Sequence, residues 1–290
     1  MKDTTKGILA VSVGSIALGS IGIFVRFADQ SIAPMTQTFG RIFVAFLCIT
    51  IFNLVTNRLG SVKIKRKDLK LFVLNGLIGF GVMASSFTLS ILHTSITNTY
   101  FLLYTAPVWV VILSYLFLKE KTSRNTLVSI AIGMLGIIFL FNPSDLSKGL
   151  LGNIFGLATG IALGSYFIIT GYLGKKYSTT TITFWTNLFG AISLFPLIFI
   201  FDKKVNLLHS LSVWFPVIAA GIMVFIGYIL LNYGLRKVKA SVGSVLSLFE
   251  PLSSVAYGFI FFTEIPVAPT LFGAALILSS IGYLAKMQEK

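Results

Sequence analysis

The chain has 290 residues, of which 56% are hydrophobic and 11% charged, with 23 basic against 9 acidic side chains and a mean hydropathy of +0.91. A soluble domain carries about 25% charged residues to cover its surface, so this composition excludes a cytosolic enzyme, a disordered protein and a secreted disulfide scaffold, and requires a bilayer as solvent. Cys48 is the single cysteine, which rules out an intrachain disulfide and a cysteine-based zinc site.

A membrane-crossing helix takes about 20 mostly apolar residues. Polar breaks divide the chain into ten such runs, approximately 7–27, 34–56, 69–92, 95–118, 125–141, 152–173, 181–201, 212–235, 239–262 and 268–286. They are too long for barrel strands and do not alternate. The first run exceeds a signal-peptide core and lacks a small-x-small cleavage site, so it is expected to be retained. It carries Ser12, Ser15, Gly19 and Gly22 on one helical face. The second holds Arg41, and the third aligns Asn75, Gly79, Val82 and Ser86. In the fourth, Asn98, Phe101 and Thr105 share a face with Tyr104 beside them, and Pro107 lies mid-span. The sixth aligns Thr159, Tyr166 and Thr170, and the eighth Tyr228 and Asn232.

The ninth run is the most informative. Gly243, Ser247, Glu250, Ser254 and Tyr257 recur at helical spacing and form one polar stripe. Glu250 is roughly 16 Å into its span at 1.5 Å per residue, where an ionisable group is a functional hypothesis by default. It is expected either to bind substrate or a coupling proton, or to be held by Arg41 or backbone groups. Arg41, about 10 Å from the boundary, is expected to snorkel, to pair, or to contact a substrate carboxylate or phosphate. Asn75, Asn98, Tyr104, Tyr166, Tyr228, Asn232 and Ser247 complete the candidate lining, with interhelical packing as the competing role. Pro107 and Pro251 free the carbonyls of Leu103 and Ser247 and are candidate hinges or fixed kinks. Glu120 and Glu264 close their helices at opposite boundaries, to pair with loop bases or cap gates.

All the basic residues except Arg26, Arg41, Lys148, Lys203 and Lys204 fall on the side of the N-terminus. The positive-inside rule then places both termini, and the 57–68 loop NRLGSVKIKRKD, in the cytoplasm. The run KIKRK reads as an inner loop beside anionic lipid, not as a nucleic-acid site. His93 and His209 fall near helix ends, and neither HExxH nor GxSxG occurs, so no enzyme and no metal site is expected.

The chain is also written twice. IALGS recurs at 16–20 and 161–165, Gly7 meets Gly152 at the same offset of 145, and Pro107 and Glu120 match Pro251 and Glu264 at 144. A single loop deletion would explain the slip. Five spans per copy is odd, so the second copy, 146–290, enters the membrane inverted relative to 1–145. Inverted repeats place a site at midplane between the halves.

Ten spans as 5+5, with TNTYFLLYTAPVWVVILSYLFLKEK at 97–121, ASVGSVLSLFEPLSSVAYGFIFFTE at 240–264, YILLNYGLRKVKAS at 228–241 and Arg41, resemble the drug/metabolite transporter superfamily, EamA-type, over the whole chain. The resemblance implies an all-α integral membrane fold and a secondary transporter that moves a small organic metabolite, an amino acid or related compound, by export across the plasma (inner) membrane through alternating access. No Walker motif occurs, so the driving force is expected from the substrate gradient or from an ion such as a proton. The expected partners are a small-molecule substrate and the lipid bilayer; no cofactor is expected. Two other functions fit the same residues: a multidrug exporter whose tyrosines and Glu250 take organic cations, and a non-transporting scaffold or receptor.

Overall fold

The structure is a computed structural model that describes residues 3–28, 32–119, 121–141, 149–202 and 210–289. Glu120, His209, Lys148, Lys203 and Lys204 lie outside the described residues. Among the described residues, ten helices are long and apolar enough to cross a membrane: α1 Asp3–Phe27, α2 Pro34–Val55, α3 Arg66–His93, α4 Ile96–Leu118, α5 Arg124–Phe141, α6 Leu150–Gly174, α7 Thr179–Phe201, α8 Leu211–Leu235, α9 Ala240–Phe262 and α10 Ala268–Gln288. No strand occurs among the described residues. The protein is an all-α, multi-pass membrane protein. Its starts obey local rules: Pro34 opens α2, where a missing N–H costs nothing. Ser95 and Ser178 cap α4 and α7 by accepting from the N–H groups of Asn98 and Thr181 at 3.0 and 3.1 Å.

Each helix keeps the neighbours of the helix five places on. Helix α1 packs on α8 and α9, as α6 packs on α3 and α4; α2 contacts α7 and α8, and α7 contacts α2 and α3; α5 packs on α10, and α4 meets α9. Hydrophobic burial gives no drive inside lipid, so these contacts rest on close approach at small residues. The same approaches occur twice. A Cβ on Gly76 would stand 2.5 Å from the Phe189 Cβ and 2.9 Å from the Thr186 carbonyl oxygen; one on Gly221 would stand 2.6 Å from the Val44 Cβ and 2.8 Å from the Arg41 carbonyl oxygen. Every partner here is offset by 145. Gly19 faces the Glu250 carbonyl and Ser253, and Gly164 the Ala106 carbonyl and Trp109, partners offset by 144.

Further along α3 the offset changes. Ser90 donates to the Gly152 carbonyl at 2.8 Å, and Gly234 faces the Gly7 carbonyl; Ser90 and Gly234 differ by 144. Thr38 and Thr88 hydroxyls share a hydrogen bond of 2.8 Å, where Asn232 donates to Thr183 at 2.9 Å; Thr88 and Asn232 also differ by 144. Between Gly76 and Thr88 lies a π-helical turn, Leu77–Val82, which adds one residue to the helix. The one-residue slip therefore arises inside α3 and not from a loop deletion. The extra residue also turns the later face of α3. Gly79 and Ser86 are buried while Val82 is exposed, so the expected stripe does not hold.

Candidate functional site

Helices α4 and α9 are both broken at mid-depth. In α4, helical segments Ile96–Leu103 and Ala106–Leu113 are separated by Tyr104 and Thr105; in α9, Ala240–Leu246 and Phe249–Phe262 are separated by Ser247 and Leu248. Each break lies on the N-terminal side of its proline, Pro107 or Pro251, where the ring removes one donor and displaces the carbonyl four residues back. The chain restores bonds at shorter range. The Val108 N–H reaches the Thr105 carbonyl and the Glu250 N–H the Ser247 carbonyl, both at 2.9 Å. As a result Glu250 occupies the first turn of a new helical segment, where the positive end of the helix dipole favours a carboxylate.

A cavity of about 480 Å³ opens beside these breaks, within the range of small-molecule sites. Its polar wall carries Glu250, Arg41, Tyr104, Tyr228, Ser247 and Ser254. The Tyr104 hydroxyl lies beside the Glu250 carboxyl group. Arg41 donates to the Thr38 hydroxyl at 3.2 Å. Among the described residues no carboxylate lies within ion-pair distance of Arg41, so the expected Arg41–Glu250 pair is not formed. Tyr100 and Tyr228 are each near enough to feel both charges. The apolar wall is largely aromatic. Tyr100, Tyr104 and Phe141 stack, with centroids 5.8–6.1 Å apart and interplanar angles of 4–16°. Such a shelf accepts a flat or aliphatic body and attracts a cation.

The cavity runs to the face opposite the N-terminus. There Arg26 pairs with Glu264 and stacks over Phe262, 4.8 Å from its centroid; all three line the mouth. The N-terminal end is sealed by the buried residues Val11, Phe167, Leu235, Val242, Val245 and Leu246. Outside that plug, Lys237 pairs with Asp3 at 2.6 Å, a bond that holds the lysine above its ordinary pKa. Tyr177 donates to Asp68 at 2.7 Å, and the Trp185 indole donates to the Val62 carbonyl at 2.7 Å. These two bonds fasten the 57–68 loop to the α6–α7 turn and to α7.

Four expected lining residues do not reach the cavity. Asn75 donates to Thr170 and Thr186, both at 3.0 Å. Tyr166 donates to Asn232, which donates to Thr183. Asn98 turns back onto the α4 cap, with its amide 3.4 Å from Thr94. These groups join α3, α6, α7 and α8, or cap a helix, as polar side chains in membranes commonly do. In α4 the cavity face is Thr97, Tyr100 and Tyr104, one position from the expected Asn98, Phe101 and Thr105. Tyr100, Phe141 and Arg26 were not singled out by sequence; the i, i+4 pairing of Tyr100 with Tyr104 is the signal that marks the shelf. Among the described residues no cluster of potential metal ligands occurs.

The profile of the EamA-like transporter family matches this chain twice, at residues 5–142 and 150–285. A protein of Archaeoglobus fulgidus named as an uncharacterized transporter is 28% identical, over 95% of this chain and 94% of its own length. A protein of Salmonella typhimurium named as the uncharacterized inner membrane transporter YicL is 25% identical, over 97% of this chain and 95% of its own length. The pseudopaline exporter CntI of Pseudomonas aeruginosa is 20% identical, over 98% and 97%. A solved crystal structure superposes with a TM-score of 0.82 at 15% identity, over 98% of this chain and 99% of that one, a likeness of fold.

Proposed function

The chain belongs to the EamA-like transporter family, and we propose that it is a secondary carrier exporting an amino acid or related metabolite across the plasma membrane by alternating access. The observation that carries this reading is a cavity that holds two unpaired intramembrane charges, Glu250 and Arg41, beside an aromatic shelf, and that reaches one face only. A zwitterion with an apolar side chain satisfies all three elements at once: its ammonium at Glu250, its carboxylate at Arg41 and its body on Tyr100, Tyr104 and Phe141. The export direction takes support from the name of CntI. The twice-made contacts of the two halves support an inverted repeat, 1–145 against 146–290, whose exchange of packings moves access from one face to the other. With both termini cytoplasmic, which the bias of basic residues supports, the open face is external.

The test is efflux from proteoliposomes loaded with a labelled amino-acid pool, after metabolite profiling of cells with and without the protein. Release of one or a few members is expected; no flux of any member by folded protein overturns the reading. The tyrosine shelf around Glu250 favours a second reading, an exporter of organic cations. Competition separates the two: lipophilic cations inhibit amino-acid efflux strongly only under the second.

A further inference from the structure

Arg41 has an equivalent on the sealed side of the molecule. The contacts of Gly76 with Thr186 and of Gly221 with Arg41 identify Thr186 as the residue in its place in the second half. The correspondence extends to its surroundings. Arg41 bonds Thr38, and the equivalent of Thr38, Thr183, lies one turn from Thr186. Ile21, Val25 and Ile42, which line the cavity beside Arg41, correspond to Tyr166, Thr170 and Asn187, all fully buried. The sealed half therefore displays what the cavity half becomes on closing. At the Arg41 position it shows a side chain with no exposure, clasped by Asn75. In the cavity half, the residue in the place of Asn75 is reached at 220 and is Ala220; it brings no hydrogen-bonding side chain.

A guanidinium carried into that environment stays charged, because it does not deprotonate in proteins, and an unpaired buried charge is strongly disfavoured. Glu250 meets the same fate, since its equivalent Ala106 is buried, but a carboxyl group escapes by taking up a proton. Arg41 has no such escape. Resting on the alternating-access reading above, we infer that Arg41 makes closure of the external half conditional on an anionic group in the cavity, so that the carrier closes around a substrate bearing a carboxylate and stays open when empty. The selected substrates are thus acids, and the amide or ester of a transported acid binds without closing the protein.

Closure is read with a cysteine at Thr97, on the cavity wall near the mouth, in a Cys48→Ala background, as the rate of labelling by a membrane-impermeant maleimide from outside. L-Phenylalanine and L-leucine should slow labelling, on the order of fivefold or more at saturation, while their methyl esters leave it unchanged. Arg41→Gln, and Arg41→Thr with the residue of the sealed half, should close without any ligand, so labelling is slow from the outset and indifferent to added acid. Arg41→Lys, which can shed its proton on burial, should stay open at low pH and close without ligand as the pH rises. Equal protection by acids and esters, or ligand-free labelling of Arg41→Gln as fast as that of the parent, overturns the inference. If Arg41→Gln does not fold, the comparison of acid with ester in the parent decides alone. Efflux from the same liposomes keeps the two levels apart: flux with Arg41-independent closure refutes only this inference, and absent flux refutes the transporter reading itself.

Discussion

The two ends of the helix bundle use equivalent helices and are finished differently. At the open end, the walls are Ile21, Val25, Arg41 and Ile42, and the rim is a half-exposed ion pair, Arg26–Glu264. At the sealed end, the equivalent positions carry Tyr166, Thr170, Thr186 and Asn187; the first three are tied by hydrogen bonds to Asn75 and Asn232 across α3, α6, α7 and α8, and Asn187 donates to the Thr183 carbonyl within its own helix. The open end thus presents an apolar wall with one isolated charge. The sealed end presents hydroxyls and amides, several of them joined across helices. Polarity in a membrane bundle does not by itself mark the cavity; it also marks where helices are joined by hydrogen bonds.

This contrast can be broken first through the glycines. Gly76 lies at the sealed end, where a Cβ would collide with Phe189 and Thr186, and Gly22 lines the cavity with nothing within 4 Å of a Cβ. Gly76→Val should abolish the monodisperse peak in detergent size exclusion, since overpacking costs about 1–3 kcal/mol and here meets backbone. Gly22→Ala should elute as wild type. A second asymmetry is chemical: Glu250 faces the cavity and Ala106 is its counterpart. Glu250→Gln keeps size and hydrogen bonding but loses the charge, so proteoliposome flux should fall about tenfold or more, an effect of at least 1.4 kcal/mol, while the folded yield holds. Unchanged flux, affinity and pH profile would remove Glu250 from the site.

Asn232→Ala sharpens the comparison at the sealed end. It strips partners from Tyr166 and Thr183, and the expected loss is about 1 kcal/mol, since hydrogen bonds between membrane helices average roughly 0.6; the check is a lower Tm in detergent. Tyr228→Phe, at the cavity, should leave Tm in place. The smallest effect is expected at the rim. Arg26→Gln breaks a pair that is about half exposed on both sides, worth about 0–1 kcal/mol, so Tm should hardly move.

The ten spans and the family were legible because composition and loop charge act over tens of residues and tolerate local error. Glu250 and Arg41 were legible because a charge within a span is rare and costly. Asn75, Tyr166 and Asn232 were not assignable, because an amide or phenol that lines a cavity and one that joins two helices have the same periodicity; only the partners distinguish them. Asn98 misled for a local reason, since the first turn of α4 draws it back to Thr94. Tyr100 and Phe141 were invisible among many aromatic residues, and their stacking joins two helices, α4 and α5. The later face of α3 was misplaced because helical periodicity assumes 3.6 residues per turn and the π turn violates it.

On the alternating-access reading proposed above, that π turn biases occupancy. Two identical halves joined as an inverted pair would give end states of equal energy, and an empty carrier would divide its time evenly between the two sides of the bilayer. One additional residue, held in the first half alone, rotates everything beyond it and makes the two packings chemically distinct structures. The equilibrium constant between them then departs from unity before any solute arrives, and a free-energy difference of 1.4 kcal/mol is enough for a tenfold preference. In the language of machines, the insertion is a detent: it gives the mechanism a home position.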